Sequence, residues 1–169
     1  DAELLATAQE ACREFRTPLL LGALRITPEG RHHNAAFLFH GPDGGCRGVY
    51  DKVNPVPFTE GIPSIGASSL WRPLSLRIGK RPERPIDAGP EGQAPLLLPS
   101  GSRPFPFGAA LCYDVYAPAL FRHWQRRGCR FVTLLTCEGS FSPSIARMQL
   151  ALARFRAIET LASLLGEQQ

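Results

Sequence analysis

The chain has no CxxC pair, no hydrophobic run of bilayer length and almost no lysine. Five cysteines lie at positions 12, 46, 112, 129 and 137. Their odd number and their spacing exclude a closed disulfide framework and argue against a zinc site, so at least one thiol has no partner within the chain. No apolar stretch approaches the roughly 20 residues that a membrane-crossing helix needs. The opening Asp1-Ala2-Glu3-Leu4-Leu5 is neither a secretory signal nor a methionine start, and it reads as a mature piece or an excerpt of something longer. Lysine occurs only at 52 and 80 among nineteen Lys and Arg residues. The net charge of +4 comes from scattered arginines with one cluster, Arg122-His123-Trp124-Gln125-Arg126-Arg127. No stacking platform or nucleic-acid motif accompanies it, so it reads as solvated basic surface.

What is present suits one globular domain. The 169 residues are 44% apolar and 20% charged, enough to bury a core. Leu5, Ala8, Cys12 and Phe15 share one face of a predicted helix over 2–16, which Thr17-Pro18 ends. Leu19 to Ile26 is a short apolar run between breakers and reads as a buried strand. Residues 35–39 and 46–50 flank a Gly/Pro/Asp loop, which is a hairpin signal. Residues 53–104 are rich in proline and glycine with little periodicity, and read as a long loop or arm. Within it, 80–103 leave two readings open, a functional loop or a poorly ordered insertion. A strand at 105–111, a helix at 118–127 and a strand at 130–136 form a parallel crossover. A final amphipathic helix opens at Ser142-Pro143. Its predicted apolar stripe is Ile145, Met148, Leu152, Phe155, Ile158, Ala162 and Leu165.

Two residues invite chemistry. Cys112 ends a strand where the chain turns toward a helix, and parallel sheets bind ligands at that end. Backbone N–H groups of the turn would stabilise a thiolate and a neighbouring oxyanion. Lys52 follows the hairpin, eight residues before Glu60, and an ammonium beside a thiol would favour both charges. Glu60 would orient that lysine or move a proton. Cys137-Glu138 closes the second parallel strand and would face the same crevice. Taken singly, each has a plainer reading: a buried thiol, two surface charges, turn residues. His32, His33 and His40 lack metal-ligand spacing and read as a polar loop.

Four tracts in order then match one family. Tyr50-Asp51-Lys52 with Val56-Pro57-Phe58-Thr59-Glu60-Gly61-Ile62-Pro63 resembles the lysine segment of apolipoprotein N-acyltransferases, membrane enzymes with a nitrilase-like catalytic domain. Leu111-Cys112-Tyr113-Asp114 resembles the nucleophile segment of that carbon–nitrogen hydrolase superfamily. Leu135-Thr136-Cys137-Glu138-Gly139-Ser140-Phe141 resembles its pocket-closing strand end, and Ala153 to Thr160 the helix that follows. The resemblance implies a nitrilase-like α-β-β-α sandwich of class α/β, incomplete, as a single partial domain over 1–169 with an arm at about 53–104. It implies Cys112 as nucleophile, Lys52 as stabiliser of the tetrahedral intermediate and Glu60 as supporting glutamate. Tyr113 would lend a backbone N–H to the oxyanion hole, with Asp114, Cys137 and Glu138 around the pocket. The implied reaction takes an acyl chain from a phospholipid to Cys112 as a thioester. It then passes that chain to the N-terminal amine of a diacylglyceryl-cysteine lipoprotein, at the periplasmic face of a bacterial inner membrane. No cofactor, metal or nucleic acid is implied; the partners are phospholipid, lipoprotein N-terminus and membrane surface. Apolar residues between 61 and 107, among them Ile62, Ile65, Leu70, Trp71, Phe105 and Phe107, would form a hydrophobic arm over the site.

The chain also departs from the family pattern. The general-base glutamate expected on an earlier strand has no counterpart, Cys137-Glu138 replaces Asn-Asp, and Gln149 stands where a histidine is common. The strands expected after Glu159 are not read from Leu161–Gln169. Two alternatives therefore stay beside the acyltransferase: a soluble carbon–nitrogen hydrolase using water, and a non-catalytic remnant.

Overall fold

A computed structural model describes residues 2–57, 59–61, 85–100, 103–136 and 143–160, and the backbone of 163–168. Its elements run α1 (Ala2–Phe15), β1 (Leu19–Ile26), β2 (His32–Phe39), β3 (Cys46–Asp51), β4 (Leu96–Leu98), β5 (Phe105–Leu111), a 3₁₀ turn (Cys112–Tyr116), α2 (Pro118–Arg126), β6 (Phe131–Thr136), α3 (Pro143–Thr160) and β7 (Ser163–Gln168). The first three strands form an antiparallel sheet in the order β1-β2-β3. The second sheet runs β4-β5-β6-β7, with β4 antiparallel to β5 and β5, β6 and β7 parallel.

The layering follows from β2. Successive side chains of a strand point to opposite faces. Ala36 and Leu38 join Tyr50, Phe107, Ala109 and Leu111 in the core between the sheets. Ala35, Phe37 and Phe39 pack on the other side with Ala8 and Cys12 of α1. A strand buried on both faces reads as an unbroken apolar run, as β2 does after Asn34. On the far side, Gly108 of β5 lies against Trp124 of α2, where an added Cβ would sit 2.5 Å from the indole. Trp124 packs edge-on to Tyr50 and Phe121. The result is helix, sheet, sheet, helix, and Trp124 belongs to the core rather than to a basic surface.

Three sequence expectations change. Phe15, placed on the buried face of α1, is 72% exposed. The stripe predicted for the last helix is displaced: Met148, Phe155 and Ile158 are exposed, and the buried positions are Gln149, Ala153 and Thr160. Those three lie at i, i+4 and i+11, one seam of a helix, made of polar and small residues. Hydrophobicity alone misplaces such a seam, because close approach to the 3₁₀ turn selects for size and hydrogen bonding. The helix stops at Thr160, and Leu165 lies in β7 instead. A strand thus does follow Glu159, paired along β6 from Phe131↔Ser163 to Thr136↔Gln168. The strand's sequence, Ser-Leu-Leu-Gly-Glu-Gln, carries no two-residue alternation to read.

The segment expected as loop also carries structure. It contributes strand β4, and residues 85–93 run along the end of the first sheet. Gly89 N donates to Lys52 O at 2.7 Å, Asp87 N to His32 O at 2.6 Å, and Gln93 exchanges hydrogen bonds with the Asp51 backbone at 2.7 and 2.9 Å. The poorly ordered reading of 80–103 is therefore wrong for 85–100. Phe105 and Phe107 stack on Phe131 in β5 and its neighbour and are not part of an arm. Ile62, Ile65, Leu70 and Trp71 lie outside the described residues, as does the capping Ser142.

Candidate active site

Cys112 follows the last residue of β5 with φ +47°. This left-handed conformation is uncommon for a side chain larger than glycine's and occurs where surrounding contacts impose it. Asp114 is the imposing group. It is fully buried, and its carboxylate accepts from Leu111 N at 3.1 Å, Tyr50 Oη at 2.9 Å, and Asn54 N and Nδ2 at 2.9 and 3.1 Å. One carboxylate thereby ties the cysteine turn to the segment that follows Lys52. Burial pushes its proton affinity up, partly offset by these hydrogen bonds. Burial and the nearby Asp114 push the Tyr50 hydroxyl well above the phenol range.

Lys52 comes immediately after β3 and is 1% exposed. Its backbone is fixed on both sides, N donating to Asn34 O at 2.8 Å and O accepting from Gly89. Its Nζ donates to Glu60 Oε2 at 2.6 Å. The same oxygen accepts from Val56 N at 2.6 Å, and Oε1 accepts from Asn34 Nδ2. Thr59 and Glu60 lie in a turn, with Glu60 N donating to Val56 O at 2.9 Å, so the carboxylate folds back onto the residue that its own backbone N–H reaches. Glu60 is occupied by three donors. That arrangement orients an ammonium and leaves little lone-pair capacity for moving a proton. Next to it, Asp51 is held by Arg25 through two hydrogen bonds.

The two constellations meet. Lys52, Glu60 and Cys112 line one cavity of about 460 Å³ between the sheets, together with Leu20, Leu24, Asn34, Val56, Leu111, Leu135 and Thr136. The walls are largely aliphatic, and the polar residues on the lining are Asn34, Lys52, Thr59, Glu60, Cys112 and Thr136. Tyr113 and Asp114 belong to the 3₁₀ turn and are not on this lining, and the Tyr113 ring stacks on Tyr116. Cys137 and Glu138 lie outside the described residues, while β6 delivers Thr136 to the cavity wall. Among the described residues no group of three His, Cys, Asp or Glu could hold a metal, and His33 is instead bonded to Asp87 O at 3.0 Å. The sequence reading passed over Asn34, and it noted Gln149 only as a departure from a common histidine. Asn34 is the polar residue at the head of an apolar strand, a signal that was available. Gln149 donates to Cys112 Sγ at 3.4 Å, and only folding brings it there.

The helix-flanked pair of sheets is a fold shared with carbon–nitrogen hydrolases of known structure. The fold matches a carbon–nitrogen hydrolase from Helicobacter pylori (TM-score 0.65, 20% identity, 98% of this chain and 50% of that one) and the C. elegans NitFhit protein (0.71, 23%, 97% and 35%). It also matches an amidase from Nesterenkonia sp. with acrylamide added at its active-site cysteine (0.62, 21%, 95% and 52%). No family model matches the chain. Within that fold class, the chain is homologous to apolipoprotein N-acyltransferases. It is 29% identical to one from Geobacter metallireducens over 87% of its length and 30% identical to one from Chlorobaculum tepidum over 75%. It spans 27% and 24% of those two relatives.

Proposed function

We propose that this chain carries the cysteine nucleophile of an N-acyltransferase, which receives an acyl group from a phospholipid as a Cys112 thioester and passes it to the N-terminal amine of a diacylglyceryl-cysteine lipoprotein. The observation that carries this is the convergence of Cys112 and the Lys52–Glu60 pair on one aliphatic cavity. Attack by the sulfur on an ester carbonyl places negative charge on the carbonyl oxygen, and the Lys52 ammonium, held by Glu60, is the cation available to meet it. The Tyr113 backbone N–H would be a second donor. A thioester divides one hard transfer into two easier ones. The aliphatic walls suit a hydrocarbon chain better than a small polar amide. The names of the homologues support the same reading, and the proposal includes a setting at the periplasmic face of a bacterial inner membrane. No helix among the described residues is long and apolar enough to cross a membrane.

The test is intact-mass analysis after exposure to phospholipid vesicles. Wild-type protein is expected to gain one acyl group, and Cys112→Ala none; absence of gain on wild type, or gain persisting in the variant, sinks the reading. Lys52→Met should slow acylation at least a hundredfold, in the range of losing one oxyanion donor. The amidase reading has its own support in the Nesterenkonia neighbour. Release of ammonia from short-chain amides, without acylation by phospholipid, would favour it.

A further inference from the structure

Helix α3 brings a third polar group to the sulfur. Gln149 is 4% exposed; its Nε2–H donates to Cys112 Sγ at 3.4 Å, and its Oε1 is buried without a hydrogen-bond partner among the described residues. Buried polar atoms are nearly always paired, and an orphaned carbonyl lowers stability. Packing alone does not call for an amide here. The seam continues through Ala153, and a methionine of equal length would fill the space with no orphan.

We propose that Gln149 is a catalytic residue, whose amide donates a hydrogen bond to the Cys112 sulfur whenever that sulfur carries negative charge. This rests on the reading of Cys112 as nucleophile. Gln149 is not part of the cavity lining, whereas Lys52 is. The amide thus meets the sulfur from the protein side and leaves the cavity side to the acyl carbonyl.

Charge reaches the sulfur twice. It is present as thiolate before the S–C bond forms. It returns when that bond breaks, as the acyl carbon bonds to the amine nitrogen, the S–C electron pair goes back to sulfur and the amine proton leaves to a base. In the intervening thioester the sulfur is neutral and a poor acceptor, so the interaction strengthens only when needed. A neutral amide suits this alternation. A lysine would pin the sulfur as a permanent ion pair, and a carboxylate would repel it. Turning the amide about its last torsion presents Oε1 to the thiol S–H instead. One side chain serves both states, and in each one amide atom stays unpaired.

The experiment uses the whole chain and no acyl substrate. Cys112 is alkylated with iodoacetamide at neutral pH and followed by peptide mass mapping, with exposed Cys46 as internal reference. Gln149→Met is expected to melt at or above the wild-type temperature, yet to alkylate at Cys112 about tenfold or more slowly, the range for a hydrogen bond to a charged group. Gln149→Glu should be at least as slow, because its carboxylate has no N–H. Gln149→His keeps a ring N–H and should recover most of the rate. Cys112 labelling within twofold of wild type in the methionine variant, or wild-type labelling in the glutamate variant, overturns the proposal. Should phospholipid leave no acyl group on Cys112 while these rates behave as expected, the donor assignment fails and the role of Gln149 stands.

Discussion

Lys52 and Glu60 are each ordinary as letters, and their energetics come from burial. An ammonium 1% exposed, against a carboxylate 19% exposed, loses its hydration and recovers it only through the pair. Removing one partner strands the other. Lys52→Ala is expected to lower unfolding stability by about 3 kcal/mol, and the double variant Lys52→Met with Glu60→Gln by clearly less; urea unfolding checks both. Asp114 has the opposite pH behaviour to a salt-bridged carboxylate. Its folded proton affinity is raised, so its contribution is fully present below the unfolded value near 3.8 and is lost as pH rises through the folded value. The stability gap between wild type and Asp114→Asn should therefore narrow as pH rises from acid toward neutral, read by urea titration at several pH values. The thiols separate in the same way. Burial pushes Cys129 up to about 11, and the reactive species is the thiolate. Brief native labelling at pH 8 should mark Cys46 and spare Cys129; labelling of both at one rate would mean the α2–β6 junction is open.

At the scale of elements, small residues set distances that hydrophobicity does not report. Gly108 lets β5 lie directly on the Trp124 ring. Gly108→Ala should cost about 1–3 kcal/mol by overpacking, measured by thermal or urea unfolding, and a cost under 0.3 kcal/mol would show that α2 is free to shift. The displaced face of α3 makes the converse case. Ile158 is 70% exposed, so Ile158→Gln should change stability by less than about 0.5 kcal/mol, although periodicity marks it as core. The strands β1, β2, β5 and β6 were legible as short apolar runs between proline, glycine or polar breakers, and β3 through the hairpin loop before it. The strands β4 and β7 were not. Three residues of Leu96–Leu98 inside a Gly/Pro-rich segment, or a six-residue run without alternation, become strands only because β5 and β6 offer unpaired backbone edges beside them.

For the whole molecule, the decisive feature is that the two sheets enclose the cavity from opposite sides. β1 and β2 supply one wall and the ends of β5 and β6 the other, so the site exists only when both sheets are assembled. Gly22 of β1 faces Leu111 and Leu135 across this gap, and a Cβ there would make ordinary contacts at 3.9 and 3.8 Å. Gly22→Ala should fold normally, whereas Gly22→Phe should fill the space and slow alkylation of Cys112 by bulky maleimides more than by iodoacetamide. Equal slowing by both reagents would mean that Cys112 is reached by another route.

Taken by itself, the sequence determined the order and type of most elements, the strand-end position of Cys112 and the rarity that singled out Lys52. These are local properties, set by turn chemistry, proline, glycine and periodicity. Tertiary structure decided the rest: that residues 52, 60 and 112 share one cavity, that Asp114 anchors the cysteine turn through four hydrogen bonds, and that Gln149 reaches the sulfur. Each depends on contacts between segments tens of residues apart, and such contacts are selected by packing and buried hydrogen bonding, which leave no periodic trace along the chain.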